Sequence, residues 1–170
     1  MKENDIRIKN LESIKKNIKA YPIDFLNLLE NKNDNLDISL EVIETKSKKY
    51  SAKVFKDGKS IFLHSAYEPE KEANALIKEF EEDTDLIFIF GIGAGYLINA
   101  VKKLNVNIAV IEPSIKFFNL LIDNFKLEKI LEDNITFFIG GDDIEDIEKF
   151  ISLTNTKKVK FFITRSYANL

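Results

Sequence analysis

Four short apolar runs in the later part of the chain constrain its fold more than any other feature. Each run has four or five residues, and a stretch with helical spacing of apolar residues separates it from the next. Strands buried on both faces have this continuous apolar character, and helices are the usual connection between parallel strands. The pattern therefore predicts an α/β fold with a parallel sheet in the strand order 3-2-1-4 and helices on both faces. Pro69 and Ser114 indicate helix starts, and the helix after the first run is predicted over Tyr96–Leu104. The four runs are Leu86–Phe90, Ile108–Ile111, Ile135–Ile139 and Val159–Ile163.

The region before residue 67 has a different pattern, and we predict that it is a separate unit. Apolar residues at mostly helical spacing indicate a first helix near 5–19, and Pro22 is suited to the first turn of a second, short helix. Three strand-like runs then predict an antiparallel β-meander at about 38–64, whose last turn is the hairpin signal Asp57-Gly58. The predicted division is 1–66 for the helices and meander, and 67–170 for the α/β domain.

Composition excludes several classes of site and partner. The 170 residues contain no Cys and one His, so disulfides, thiolate nucleophiles and Cys- or His-rich metal sites are excluded. The net charge of -3 gives no overall field that would attract nucleic acid or an anionic membrane. No apolar run approaches the roughly 18 residues that a membrane span needs. We therefore predict no nucleic-acid partner, no membrane association and no metal site. A cytoplasmic location is the default expectation, although the absence of Cys fits other compartments as well.

A glycine-rich turn and an acidic residue carry the strongest signal for a ligand. Gly91-Ile92-Gly93-Ala94-Gly95 lies between the first apolar run and a helix, and Glu112 ends the second run, 21 positions after Gly91. In Rossmann-like folds such glycines let the backbone approach a nucleotide, the following helix offers free N–H groups, and the acidic residue holds the ribose hydroxyls. We therefore predict a Rossmann-like fold in which the cofactor-binding residues are Gly91, Gly93, Gly95 and Glu112.

The spacing leaves three interpretations of this turn open. Tyr96 stands where the dinucleotide fingerprint needs a third glycine, which argues against NAD or FAD. The Gly-x-Gly-x-Gly spacing is similar to the first motif of Rossmann-fold methyltransferases, which favours a nucleotide or S-adenosylmethionine-like ligand. However, Ile89 stands where those enzymes usually have an acid. In the third interpretation the glycines only form a tight turn between strand and helix, and Glu112 caps a helix.

Other residue types with catalytic potential do not form a recognisable constellation. The sequence has no Gly-x-Ser-x-Gly nucleophile motif, and a lone histidine such as His64 is more often a packing or surface residue than a catalyst. The acidic stretch Asp142–Asp146 is best explained as a solvated helix N-terminus with Asp142 as its cap. We therefore predict no catalytic residue in this chain.

Several short motifs together resemble those of one family. The series consists of His64-Ser65, Tyr67, Pro69, Glu72-Ala73, the glycine turn with Tyr96, and Ile111-Glu112-Pro113. It is similar to the amino-terminal domain of the motility accessory factor (Maf) family, bacterial proteins linked to the glycosylation of flagellin with nonulosonic acids such as pseudaminic or legionaminic acid. The resemblance covers about residues 60–165, and Tyr96 and Pro113 distinguish it from ordinary methyltransferases.

The resemblance implies a Rossmann-like unit with a binding or scaffolding role. In this family a central domain, thought to hold the sugar-transfer site, would lie beyond Leu170. The chain is therefore expected to be the first domain of a longer protein and not catalytic alone, with flagellin and that catalytic domain as partners. Two alternatives stay open. One is a methyltransferase-like or other nucleotide-dependent transferase that uses Gly91–Gly95, and the other is an interaction domain that presents the meander to a protein partner.

Overall fold

In the residues that the computed structural model describes, helices precede and flank two β-sheets. First come α1 (Glu3–Lys16) and α2 (Phe25–Glu30), and then a sheet of β1 (Ile38–Glu44), β2 (Tyr50–Lys56) and β3 (Lys59–Phe62). The remaining elements are α3 (Pro69–Leu76), β4 (Leu86–Phe90), α4 (Tyr96–Val101), β5 (Asn107–Glu112), α5 (Ile115–Asn124), α6 (Glu128–Leu131), β6 (Thr136–Ile139), α7 (Ile144–Leu153) and β7 (Val159–Ile163). The structure describes residues 3–22, 25–30, 37–80, 83–131, 135–140, 144–154 and 156–170.

The second sheet has the predicted topology. Strand β4 pairs in parallel with β5 on one side and with β7 on the other, and β5 pairs in parallel with β6. The resulting order, β6-β5-β4-β7, is the predicted order 3-2-1-4. Leu86 at the start of β4 lies opposite Asn107 and Val159, so β4 is central in the sheet. The prediction of an α/β, Rossmann-like fold is confirmed.

Helices cover both faces of this sheet, but unequally. On one face Ile87 and Val110 belong to a large core that includes residues of α1, α4, α5 and the meander. On the other face Phe88 and Ala109 belong to a smaller core against Phe150 of α7. Because successive strand residues point to opposite faces, one continuous apolar run supplies both cores at once.

The first helices and the meander are present, with a difference at one helix end. We predicted one helix near 5–19, whereas α1 ends at Lys16 and a separate 3-10 turn covers Ile18–Ala20. This turn leads into Tyr21, whose ring stacks on Phe25 and Phe137, a tertiary contact that the local apolar spacing does not reveal. The three meander strands pair antiparallel as predicted.

Local signals for helix starts in the α/β region hold where the structure describes them. Pro69 is the first residue of α3, and the Ser114 side chain caps α5 by accepting a hydrogen bond from the Phe117 N–H at 3.0 Å. The α-helix after the glycine turn is shorter than the predicted Tyr96–Leu104, because its last turn is a 3-10 helix that ends at the left-handed Asn105. The predicted cap at Asp142 lies outside the described residues. Within the ranges given above, no helix is both long and apolar enough to cross a membrane.

Candidate functional site

The glycine turn and Glu112 lie side by side at the carboxyl ends of β4 and β5. These strands are parallel neighbours, so the turn that follows Phe90 and the last residue of β5 meet at the same edge of the sheet. The three turn glycines have positive φ angles of 93°, 53° and 82°, which L side chains rarely adopt. The structure therefore brings Gly91, Gly93, Gly95 and Glu112 together, and their binding of a cofactor stays a prediction.

Glu112 is completely buried, and its carboxylate is bound by the protein itself. Its Oε2 atom accepts hydrogen bonds from the Tyr167 hydroxyl at 2.6 Å and from the Ile92 N–H at 3.3 Å. Its Oε1 atom accepts one from the Ser114 N–H at 3.5 Å. Burial raises the pKa of Glu112 to about 7, because these hydrogen bonds offset only part of the cost of desolvating the charge. The surroundings therefore favour the neutral form of this carboxyl group more than water does.

Tyr167 fills the space beside the first glycine of the turn. It lies shortly after β7, and its ring is so close to Gly91 that a Cβ atom there would be 2.3 Å from the ring carbon Cζ. Its hydroxyl donates to Glu112 and accepts a hydrogen bond from the Gly93 N–H at 3.1 Å. Burial, together with the charge of Glu112, raises the pKa of Tyr167 well above its usual value, so the phenol keeps its proton. Sequence reasoning missed Tyr167 because it lies 55 positions after Glu112 and in no recognisable motif.

His64 accepts the next N–H of the turn. Its Nε2 atom accepts a hydrogen bond from the Ala94 N–H at 2.9 Å, so the neutral ring carries its proton on Nδ1, 3.9 Å from Oε2 of Glu72. A Cβ atom on Gly93 would lie 2.6 Å from Nε2. Burial lowers the pKa of His64 to about 4, which keeps the ring neutral at physiological pH. His64 is thus a buried acceptor that fixes the turn.

Each N–H group of the five-residue turn has an acceptor within the protein. The Gly91 N–H donates to the Ile111 backbone oxygen at 2.7 Å, and the Gly95 N–H donates to that of Ile92 at 3.1 Å. The three between them donate to Glu112, Tyr167 and His64. Nucleotide phosphates bind such turns through free N–H groups. A phosphate would therefore have to displace one of these side chains, and in this structure the turn is closed.

Tyr96 joins the glycine turn to the meander. Its hydroxyl donates to the backbone oxygen of Tyr50 at 2.7 Å and accepts a hydrogen bond from the Tyr50 N–H at 3.2 Å. Its ring also meets His64 edge-on, with centroids 5.2 Å apart. Both partners belong to the meander or the segment that follows it, so the turn, α4 and the meander meet at one point. The dinucleotide fingerprint places a glycine here for close packing, whereas this chain has a side chain with a partner 46 positions away.

The acidic residues that the structure describes at the start of α7 are exposed. Glu145 and Asp146 lie in the first turn of α7 and are exposed, where negative charge interacts favourably with the helix dipole. Asp142 and Asp143 lie outside the described residues. In the part of the chain that is described, no group of three or more His, Asp or Glu side chains is placed to hold a metal ion.

Comparison with known proteins identifies a similar fold. No family model matches the chain, and no match was found among curated protein sequences. Among solved structures, the MAf glycosyltransferase from Magnetospirillum magneticum AMB-1 is similar over 99% of this chain, with a TM-score of 0.61 and 10% sequence identity. The match covers 34% of that protein, so this chain spans about a third of its length. At this level of identity the match shows the fold alone: the chain has the Rossmann-like architecture of one part of a Maf glycosyltransferase.

Proposed function

We propose that this chain is the amino-terminal Rossmann-like unit of a Maf-type protein and serves as a binding or scaffolding module in the glycosylation of flagellin with nonulosonic acids. The fold match is the observation that supports this most. It extends over 99% of the chain, and so includes the meander as well as the parallel sheet. The motif series from His64 to Pro113 supports the same family.

A scaffolding role fits the closed glycine turn. The N–H groups that hold a phosphate in nucleotide-binding relatives of this fold donate here to Glu112, Tyr167 and His64. In this proposal the turn holds the meander on the sheet, and sugar transfer belongs to another unit of the same protein, with flagellin as the acceptor. A cytoplasmic location is part of the proposal.

The proposal is tested by deleting the gene in its host and measuring the intact mass of flagellin. We expect flagellin to lose the mass of its nonulosonic acid residues, and a plasmid-borne wild-type gene to restore it. The Gly58→Ala variant should also restore it, because a Cβ atom at Gly58 meets nothing within 4 Å, whereas Gly91→Val should not. An unchanged flagellin mass in the deletion strain would contradict the proposal.

The isolated chain provides a second test. We expect the 170 residues alone to transfer no nonulosonic acid from its CMP donor to flagellin, because no catalytic constellation is evident in their described part. A full-length Maf glycosyltransferase in the same assay serves as the positive control. Measured turnover by the 170 residues would assign catalysis to this chain instead.

A second candidate function is binding of a nucleotide or S-adenosylmethionine-like ligand, as in a methyltransferase-like or other nucleotide-dependent transferase. The observation that favours it is the meeting of Gly91, Gly93, Gly95 and Glu112 at two adjacent strand ends, with a hydroxyl group 2.6 Å from the Glu112 carboxylate. A ribose hydroxyl in that place would make the same charge-assisted hydrogen bond.

Calorimetric titration of S-adenosylmethionine, CMP and NAD into the wild type tests the second candidate. For any ligand that binds, Glu112→Ala should weaken binding about ten- to a hundredfold, the value of a hydrogen bond to a charged group. Gly93→Val should weaken it at least as much, because a β-branched side chain would obstruct the ligand. If none of the three binds at millimolar concentration, this candidate fails for these ligands.

A further inference from the structure

The Tyr167 hydroxyl has the hydrogen-bond pattern of a bound ligand. It donates to the buried carboxylate of Glu112 at 2.6 Å and accepts from the Gly93 N–H at 3.1 Å. The ring itself occupies the space that Gly91 leaves by having no Cβ atom. In Rossmann-like folds the strand-end acid and the glycine turn are the groups that bind a nucleotide.

We propose that Tyr167 is an internal ligand that closes the crevice between the glycine turn, Gly91–Gly95, and Glu112. A neutral, hydroxyl-bearing ring then binds in this crevice only in place of the Tyr167 side chain. This concerns the same residues as the second candidate function, but it does not require that a nucleotide be the natural ligand.

The chemistry of the crevice determines which ligands fit. One acceptor and one donor, Glu112 and the Gly93 N–H, are satisfied by a single hydroxyl group. The neighbouring Ile92 and Ala94 N–H groups donate to Glu112 and His64, so they are not available for a phosphate. A buried carboxylate also disfavours a second negative charge beside it. The crevice therefore selects a phenol or an uncharged sugar-like hydroxyl over an anion.

The segment that carries Tyr167 is held by contacts that do not involve its ring. Ser166 Oγ donates to the Leu63 backbone oxygen at 2.7 Å and lies 2.9 Å from Thr164 Oγ1. The β7 strand before it pairs with β4 along its whole length. Truncating the Tyr167 side chain should therefore leave a cavity in an otherwise intact fold.

The test is the binding of 4-methylphenol and toluene to Tyr167→Ala, measured by thermal shift and calorimetry. The two probes have the same ring and methyl group, and only 4-methylphenol has the hydroxyl. We expect the variant to bind 4-methylphenol about ten- to a hundredfold more tightly than toluene, and the wild type to bind neither. Equal affinity for the two probes, or equal binding of 4-methylphenol by wild type and variant, would overturn the proposal.

Tyr21→Ala is the matched control. Tyr21 is also a buried tyrosine, but its hydroxyl donates to a backbone oxygen, that of Leu131, at 3.2 Å. We expect its cavity to prefer 4-methylphenol over toluene by less than about tenfold, because the acceptor is uncharged. The same preference in both variants would show that any buried tyrosine cavity behaves this way and would also overturn the proposal.

The test remains decisive if Tyr167→Ala does not fold without a ligand. Refolding is then carried out with either probe, because a ligand that binds only the folded state shifts the equilibrium towards it. We expect 4-methylphenol to restore the folded fraction at a concentration at least tenfold lower than toluene. Failure of both probes would reject the proposal, whereas failure of nucleotides to bind the wild type would reject only the second candidate function.

Discussion

The β2–β3 hairpin turn and the turn after β4 both contain glycine with a positive φ angle, yet the surroundings of the two turns differ. Gly58 in the β2–β3 hairpin has φ 71°, and a Cβ atom there would meet nothing within 4 Å. Gly91 in the turn after β4 has φ 93°, and a Cβ atom there would lie 2.3 Å from the Tyr167 ring. The first glycine is needed only for the backbone angle, whereas the second also makes room for a side chain from a distant part of the chain.

The comparison shows that one sequence signal has two physical causes. A glycine motif can indicate a backbone angle that other residues rarely adopt, or a place where another group must lie close to the backbone. That group can be a side chain of the same protein rather than a ligand. In the turn after β4 the approaching groups are Tyr167, His64 and Ile130, which lie against Gly91, Gly93 and Gly95. The closed turn should therefore be sensitive to changes that the open hairpin turn tolerates.

The largest expected difference in the free energy of unfolding is that between Gly91→Ala and Gly58→Ala. Gly91→Ala combines a left-handed alanine with overpacking against a rigid ring, and we expect it to lower the free energy of unfolding by about 4 kcal/mol. Gly58→Ala has only the conformational cost, about 1 kcal/mol. Urea unfolding of both variants measures this, and equal losses would show that Tyr167 moves aside freely.

Glu112→Gln should remove the loss of stability that the wild type shows as the pH rises from about 4.5 to about 7. The folded-state pKa of Glu112 is raised from 4.5 to about 7, so its contribution to stability is fully present below pH 4.5 and is lost as the pH rises through about 7. Relative to Glu112→Gln, the wild type should lose about 1.4 kcal/mol per pH unit in that range, about 3 kcal/mol in total.

Unfolding curves of the wild type and of Glu112→Gln between pH 4 and 8 measure how the difference in their stabilities changes with pH. His64 titrates in the opposite sense, because its folded-state pKa is lowered from 6.5 to about 4 and its contribution is lost as the pH falls through that range. Both proteins contain His64, so its effect cancels in the difference. A difference that does not change with pH would mean that Glu112 is not desolvated as the structure indicates.

Tyr167→Phe should have an intermediate effect. The variant keeps the ring against Gly91 but leaves the Gly93 N–H and the Glu112 carboxylate without the hydroxyl that both now bind. We expect a loss of about 2 kcal/mol, against about 1 kcal/mol for Tyr21→Phe, which removes one hydrogen bond to a backbone oxygen. If the two variants lose the same stability, the Tyr167 hydroxyl is not central to the closed turn.

Tyr96→Phe should have the smallest effect. Its two hydrogen bonds to the Tyr50 backbone are exposed, so water can replace them, and we expect a loss below about 1 kcal/mol. Hydrogen exchange of the Tyr50 amide should nevertheless become faster, because that N–H loses its acceptor. Unchanged exchange would show that Tyr96 does not hold the meander on α4.

Much of the fold was predictable from the sequence because its strands and helix starts follow from patterns within short segments. The apolar runs predicted each strand of the parallel sheet, and residues such as Pro69 and Ser114 correctly indicated helix starts. The closing groups of the glycine turn were not predictable. Tyr167 and His64 come from opposite sides of the motif in sequence and have no fixed spacing to it. The division at residue 66 stays a prediction, although hydrogen bonds such as that from Ala94 to His64 cross it.

The sequence by itself determined the parallel sheet, its strand order, the antiparallel meander and the meeting of Gly91–Gly95 with Glu112. These follow from periodicity, handedness and the parallel alignment of neighbouring strands, which are properties of short segments and their connections. Only the tertiary structure decided what fills the space at that meeting point. The space is filled by the Tyr167 phenol, 55 positions from its partner Glu112, and by the His64 imidazole, 30 positions from its partner Ala94. The resulting burial desolvates the Glu112 carboxylate and raises its pKa.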